Sequence, residues 1–443
     1  HALVRSISPE EKDGEDNQNM PEGYSQEESS DEVAEYIDVS YSRVGVHDPS
    51  VIKVDDMYYI LGSHMAYAKS KDLMNWRTFR MNINTEYNDL MGDIWEEYMK
   101  TPTNPNLSGN LWAPDIMYNE ALDKYCMYLS INGNQFNSAI VLLTADDIEG
   151  PYEYIAPVVF SGFGSNHPPE KTDVYQVLGE DADLTRYKST KNTKLNAIDP
   201  SVEYDEEGNL WMAFGSWFGG IYMLKLDENT GLRDYSYTYV TERNVSDQYY
   251  GYKLAGGNEV SGEGPYIQKF GDYYYMFLSY GGLTQDGGYQ MRLFRPKDIR
   301  GAYVDEVGQS AVYEKHQNNL FTNIGVRIVG SYKFSGSAYT LAAQGHNSVF
   351  LDDDGKMINV YHTRFADGLN GNAEAHQVRV QQLFINENDW LVMAPYEYSG
   401  ETISETGYTK NEMVGNYEFV VHTPSTYYQT SFGKQLGIAK TLN

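Results

Sequence analysis

The chain contains a single cysteine, Cys126, among 443 residues. One thiol excludes an intrachain disulfide and a thiolate pair for zinc, so Cys126 is expected to be buried and inert. Positive charge is also scarce: 33 Lys and Arg face 63 Asp and Glu, a formal net charge of −30. That balance keeps a protein soluble and argues against nucleic acid or an anionic membrane as partner, leaving a neutral or cationic ligand. No apolar run reaches the roughly 18 residues of a membrane span, and the start at His1 shows neither a basic nor an apolar leader region. The sequence is therefore read as a mature form. From Ile37 onward the helical period hardly appears.

What is abundant points elsewhere. The 40 Tyr, 40 Gly and 6 Trp supply amphipathic rings that can face sugar C–H groups, although all-β proteins favour these residues anyway. Short runs rich in Tyr, Val, Ile and Phe alternate with Gly/Asn/Asp turns, which predicts an all-β domain. Residues 1–36 include the acidic, aperiodic stretch SPEEKDGEDNQNMPEGYSQEESSDEVAE and are expected to form a flexible leader. The main domain is placed at 37–400. Residues 401–443 form a short β-rich C-terminal extension, few for an independent core, and are expected to dock through Tyr417, Phe419 and Val421.

Within the main domain one pattern recurs. DPSVIKVDDMYYILGS from Asp48, APDIMYNEALDKYCMYLS from Ala113, DPSVEYDEEGNLWMAFGS from Asp199, EGPYIQKFGDYYYMFLSY from Glu263 and HNSVFLDDDGKMINVYHT from His346 each read as strand, turn, aromatic-rich strand. Five such hairpins, roughly 65–85 residues apart, predict five four-stranded sheets packed radially as a five-bladed β-propeller. The innermost strand of each blade lines a common channel, so the first residue of every repeat would face one funnel. A lone Asp-Pro is ordinary turn chemistry. Asp48, Asp199, Glu263 and His346 at one repeat position are not so easily explained by turns.

Carboxylates converging on a partly desolvated funnel cannot all ionise freely. One protonated acid beside one ionised base is the division of labour that cleaves a glycosidic bond. The residues alone leave open which carboxylate does what. Two other features look like motifs and are read as structural. Asp352-Asp353-Asp354-Gly355 has no Glu at the twelfth position of a calcium loop and falls where a solvated hairpin turn belongs. Gly256-Gly257 and Gly281-Gly282 precede no helix and no Lys-Ser/Thr, which argues against phosphate binding.

The set VHDPSV, LWAPDI, NAIDPS, SGEGPY and GHNSV, with NAIDPS followed by FGSWFGGI, resembles glycoside hydrolase family 43, most closely its secreted endo-α-1,5-L-arabinanases, over roughly Ser42 to Gly400. The resemblance implies an inverting hydrolase of arabinan, a neutral polysaccharide, acting outside the cell as a monomer. It implies Asp48 as general base, Glu263 as general acid, and Asp199 as the residue that orients the acid and tunes its pKa. His346 matches a histidine that binds one largely water-coordinated calcium ion. Asn196, Ala197 and Ile198, with Ser216, Trp217 and Phe218, match segments lining the sugar cleft, as do Trp112 and Gly133; Trp112 and Trp217 could instead be core residues between blades. The chain departs from the family where Asn132-Gly133-Asn134 replaces a Phe-Gly-Ser turn, removing an aromatic platform from one subsite. Two alternatives stay open. An exo-acting α-L-arabinofuranosidase or β-xylosidase shares the triad, and the segment Phe163 to Lys194 could shape either cleft. A non-catalytic sugar-binding propeller would have one of the three carboxylates replaced, and all three are present.

Overall fold

Each sequence repeat folds into the first two strands of the main hairpin of one antiparallel sheet. The computed structural model describes residues 2–5, 39–163, 167–190, 193–314, 323–400, 407–422, 437–438 and 440–442. Blade one is Ser50–Val54, Met57–Gly62, Ala66–Ser70 and Arg77–Phe79; blade two is Leu111–Asn119, Lys124–Asn132, Ser138–Ala145 and Glu153–Phe160. Blade three opens on Ser201–Tyr204 and Leu210–Phe214 and closes with Ile221–Leu226 and Gly251–Ala255, with a short fifth strand, Ser246–Asp247, at its edge. Blade four is Glu263–Phe270, Tyr273–Tyr280, Gln290–Phe294 and Val326–Val329, and blade five is built on Leu341–Leu351, Met357–Phe365, Gln377–Ile385 and Leu391–Met393. The inner strand of each blade neighbours that of the next, and the fifth returns to the first, which closes a five-bladed propeller.

The repeat motif explains how adjacent blades are joined. Its third residue reaches the next inner strand: Ser50 Oγ accepts the Ile116 N–H at 3.1 Å, Asp115 Oδ2 accepts that of Val202 at 2.7 Å, and Ser201 Oγ accepts that of Ile267 at 3.1 Å. In the fourth repeat the third residue is Pro265 and the next one takes over, the Tyr266 hydroxyl accepting the Val349 N–H, and Ser348 Oγ accepts the Val51 N–H at 3.0 Å to complete the ring. Because these groups are buried, each bond satisfies a backbone donor that neither sheet could pair.

Removing one link should therefore be costly. Ser50 Oγ also donates to Asp115 Oδ1 at 2.7 Å, and burial already raises the Asp115 carboxyl to about 6 against that bond. Ser50→Ala is expected to destabilise the fold by about 1–3 kcal/mol in urea unfolding. Without the hydroxyl the Asp115 pKa rises further, so the loss should be larger at pH 8 than at pH 5; equal midpoints for both proteins at pH 8 would remove Ser50 from this role.

Two expectations about individual segments change. The turn at Asp352–Gly355 joins the hairpin of blade five, but Asp352 is not merely solvated: it pairs with Lys53 Nζ at 2.5 Å and accepts from Tyr58 at 2.6 Å, tying blade five to blade one. In the C-terminal segment, Tyr417–Val420 forms a strand between Ala2–Arg5 and Lys440–Leu442. The face toward the propeller is the even one, contrary to the expected Tyr417, Phe419 and Val421. Val420 is buried in an apolar cluster with Tyr332 and Phe334, whereas Val421 is 48% exposed. Strand alternation makes a one-residue register error invert every side chain. The acidic stretch 6–36 lies outside the described residues, as does most of 423–443.

Cys126 is fully buried, and burial raises its thiol to about 12, an inert state. Among the described residues no helix is long and apolar enough to cross a membrane.

Candidate active site

The first residue of each repeat sits at an irregularity where its inner strand begins. Asp48, Ala113, Asp199 and His346 adopt left-handed φ values of 54°, 35°, 59° and 49°, a conformation costing non-glycine residues about 1–2 kcal/mol. Pairing registers shift beside Ala113, Glu263 and His346. Such bulges re-aim a side chain away from the pleat, here toward the channel. The Ser or His at the end of each repeat, final in the first three and next to last in the other two, holds this arrangement from the preceding blade. Ser63 Oγ accepts the Ala113 N–H at 2.7 Å, Ser130 Oγ that of Asp199 at 3.0 Å, and Ser279 Oγ that of His346 at 2.7 Å. Ser216 instead donates to the Glu263 carboxylate at 3.0 Å, and His362 Nδ1 accepts the Asp48 N–H at 3.2 Å.

Asp48, Asp199 and Glu263 are brought close enough to perturb one another. Asp48 is 9% exposed; its Oδ2 meets His47 Nδ1 at 2.7 Å and accepts from Ser63 at 2.5 Å, while its Oδ1 lies 3.1 Å from His346 Nδ1. Burial alone would raise this carboxyl, but His47, His346 and His362 outweigh burial and hold it well below its usual range. Asp199 shows the opposite balance. Burial first, then the charges of Glu263 and Asp48, push it well above the carboxylate range, against one hydrogen bond from the Gly264 N–H at 3.1 Å. Burial raises Glu263 as well, opposed by hydrogen bonds from Tyr289 at 2.8 Å and Ser216 at 3.0 Å and by His346, and reinforced by Asp48. Asp199 and Glu263 thus form a unit that resists double ionisation, facing a carboxylate that is ionised at neutral pH.

The candidate metal group differs from the sequence expectation. His47, Asp48 and His362 present ligand atoms within 4.8 Å of one another, and His346 stands beside them through Asp48 rather than within the set. His47 stacks on His362 with ring centres 3.8 Å apart, and His362 Nε2 is buried without a hydrogen-bond partner among the described residues. His362 lies inside the fifth repeat, and His47 immediately precedes the first. His362 was detectable as the one imidazole at a position where the other repeats carry serine; Tyr289 had no sequence signal.

The expected sugar-contact residues divide into a rim and its support. Trp112, Trp217 and Phe218 are half-exposed at the rim, so neither tryptophan is a core residue. Asn196 is buried, donating to Asn132 Oδ1 at 2.9 Å and accepting from Ser138 at 2.5 Å. Ala197 and Ile198 are buried, and Ala197 donates its N–H to Ser161 Oγ at 2.9 Å. Gly133 is enclosed, since a Cβ there would lie 2.6 Å from Asn137 and 2.8 Å from Met99. The aromatic group missing from the 132–134 turn is supplied nearby: Phe136 packs on Phe218 with ring centres 4.8 Å apart, under the Lys194 ammonium at 4.0 Å. Lys194 ends the segment Phe163 to Lys194 and accepts the Gly219 N–H at 3.1 Å, so that segment borders the same rim.

The profile of Glycosyl hydrolases family 43 matches residues 42–391, which takes in the repeats of all five blades. The chain belongs to glycosyl hydrolase family 43. Relatives in this family include an extracellular endo-α-(1→5)-L-arabinanase of Thermotoga petrophila, 42% identical over 386 residues, covering 85% of this chain and 76% of that protein. The extracellular endo-α-(1→5)-L-arabinanase 2 of Bacillus subtilis is 35% identical over 396 residues, covering 86% and 76%. The crystal structure of endo-1,5-α-L-arabinanase from Thermotoga petrophila superposes with a TM-score of 0.73 at 37% identity, covering 91% of this chain and 84% of that one.

Proposed function

We propose that this family 43 protein is an inverting endo-α-1,5-L-arabinanase, cleaving internal bonds of arabinan outside the cell as a monomer. The observation that carries the chemistry is the pairing of an ionised Asp48 with the proton-retaining Asp199–Glu263 unit in one channel mouth. Asp48 takes a proton from the attacking water, and Glu263 protonates the departing glycosidic oxygen. Asp199 keeps that proton available, because its nearness to Glu263 disfavours the doubly ionised pair. Inversion requires the base and acid to stand about 6.5–9.5 Å apart so that water fits between substrate and base. Trp112, Trp217 and Phe218, with Phe136, offer ring faces for arabinosyl units, over a floor held by Gly133 and the Asn196–Ile198 segment; Ser216 keeps Glu263 aimed. The linkage and the endo mode are supported by the two relatives named above, and extracellular action by the same names.

Linear arabinan, with products resolved by size and the anomer read by NMR during the first turnovers, tests this reading. Oligomers appearing early and released in the β configuration are expected. Monomer alone would place the enzyme among exo-acting arabinofuranosidases, and no turnover of any furanoside would leave a sugar-binding propeller. Culture fractionation tests export and light scattering tests the monomer.

The resemblance also supports one calcium ion near His346. Calcium takes about six to eight oxygen ligands, whereas His47, Asp48 and His362 offer two imidazoles and one carboxylate, so water would supply most of its shell. The unpartnered His362 Nε2 and the three carboxylates make the channel receptive to a cation. Bound there, it would offset their mutual repulsion. Elemental analysis is expected to find one equivalent of calcium that EDTA dialysis removes, with a lower Tm and lower activity. A metal-free protein with full activity and an unchanged Tm would exclude the ion.

A further inference from the structure

On a chain of net charge −30, one cavity carries the opposite sign. It occupies about 590 Å³ between blade three and the loop before its edge strand; Arg186, Arg243 and Lys253 converge on it, with Glu242 as the one acidic lining residue among those described. Lys253 is the decisive group. It is only 9% exposed, and among the described residues no carboxylate pairs with it. Burial, then the nearby charges of Arg186 and Arg243, lower its pKa to about 8. Arg186 is partly neutralised by Asp247, 2.9 Å from its Nη2, yet its Nε is buried without a partner among the described residues. Arg243 lies on the exposed loop, its guanidinium 3.4 Å from the Glu314 carbonyl.

A buried ammonium without a counterion, beside two guanidinium groups, is destabilising unless an anion arrives. Gly257, a glycine that phosphate-loop chemistry did not account for, makes room for the ammonium itself: a Cβ there would lie 2.3 Å from Lys253 Nζ. The rest of the lining argues against a bare inorganic ion. Thr241, Asn244 and Asn258 present neutral polar groups and Tyr222 a ring, and the volume falls in the range of small-ligand pockets. The Gly256-Gly257 turn packs on Gly220, and Glu259 donates to the Phe218 carbonyl at 3.0 Å, so the cavity is one loop away from the aromatic rim.

We propose that this cavity is a second carbohydrate site, for a sugar whose ring bears a carboxylate, the charge being met by Lys253, Arg186 and Arg243 and the hydroxyls by the neutral polar lining. It stands independently of the catalytic assignment, because binding alone reads it out. The test is calorimetric titration of the full chain with sodium galacturonate, galactose and inorganic phosphate at matched ionic strength, repeated on Arg243→Gln and Lys253→Met. Galacturonate is expected to bind saturably, galactose not at all, and each variant to bind about tenfold more weakly or worse. Without ligand, Lys253→Met should also melt at a higher temperature than the parent, since it removes an unpaired buried charge; a purely structural lysine would give the reverse. Arg243→Gln changes an exposed side chain, so it decides the matter even if the Lys253 variant fails to fold. Absence of saturable galacturonate binding, unchanged affinity in Arg243→Gln, or phosphate binding as tightly as galacturonate would each overturn the proposal.

Discussion

Glu263→Gln is expected to lower kcat on arabinan by about 10²–10⁴-fold while leaving KM close to its original value. The amide cannot protonate a leaving alkoxide, but it keeps the shape of the carboxyl: of the two hydroxyls that donate to Glu263, Tyr289 and Ser216, one can still donate to the amide oxygen while the other turns to accept from the amide NH2. The same variant assayed on an aryl arabinofuranoside with a nitrophenolate leaving group should lose much less, because that group departs without a proton. This contrast separates an acid from a residue that merely holds the site together, which would slow both substrates alike. Equal loss on both would remove Glu263 from the role proposed for it. The pH profile adds a second reading. Activity needs Glu263 protonated, and burial and neighbouring charge raise the Asp199–Glu263 unit, so the wild-type alkaline limb should lie above pH 4.5. Activity is lost as pH rises through that limb; in Glu263→Gln the limb should flatten.

Asp48→Gly should show a comparable loss, with a different remedy. The substitution suits the backbone, since residue 48 has a φ of 54°, which glycine adopts without strain. It leaves His47, His346 and His362 around a space where a carboxylate had been. A small anion such as azide can enter that space and attack the anomeric carbon directly, displacing the sugar chain once Glu263 protonates the leaving oxygen. With azide, activity is expected to return and the products to be arabino-oligosaccharyl azides of β configuration, the inverted anomer. No rescue at any azide concentration would argue that Asp48 positions other groups instead of activating water. In the parent enzyme the histidines hold Asp48 ionised far into acid, so the acid limb should lie below pH 3.8, activity falling only as pH drops through it.

The repeat carried more information than its first residue. Position three, serine in three of the five copies, links neighbouring inner strands, and the Ser or His at or next to the repeat's end reaches forward to the next blade's first residue. Both were on view in the aligned hairpins, because a propeller places equivalent positions in equivalent surroundings. Tyr289 was not, since it reaches Glu263 from a third strand that carries no repeat signal. The direction of the strand at Tyr417–Val420 could not be read either: with apolar or aromatic residues at 417, 419, 420 and 421, both faces qualify, and the partner surface around Tyr332 and Phe334 chose Val420. Nor could the composition reveal the cavity at Lys253. A net charge is a sum over the whole surface, whereas Arg186, Arg243 and Lys253 meet only because one loop folds back on blade three.

The amino-acid sequence by itself determined the five blades, the family resemblance and the identity of the three carboxylates, because period and motif are properties of neighbouring residues along the chain. The tertiary structure alone decided which histidines surround Asp48, where protons reside among the acids, and which aromatic groups form the rim. Those depend on burial and on distances between residues up to 314 positions apart, and desolvation and Coulomb energy act through space, not along the backbone.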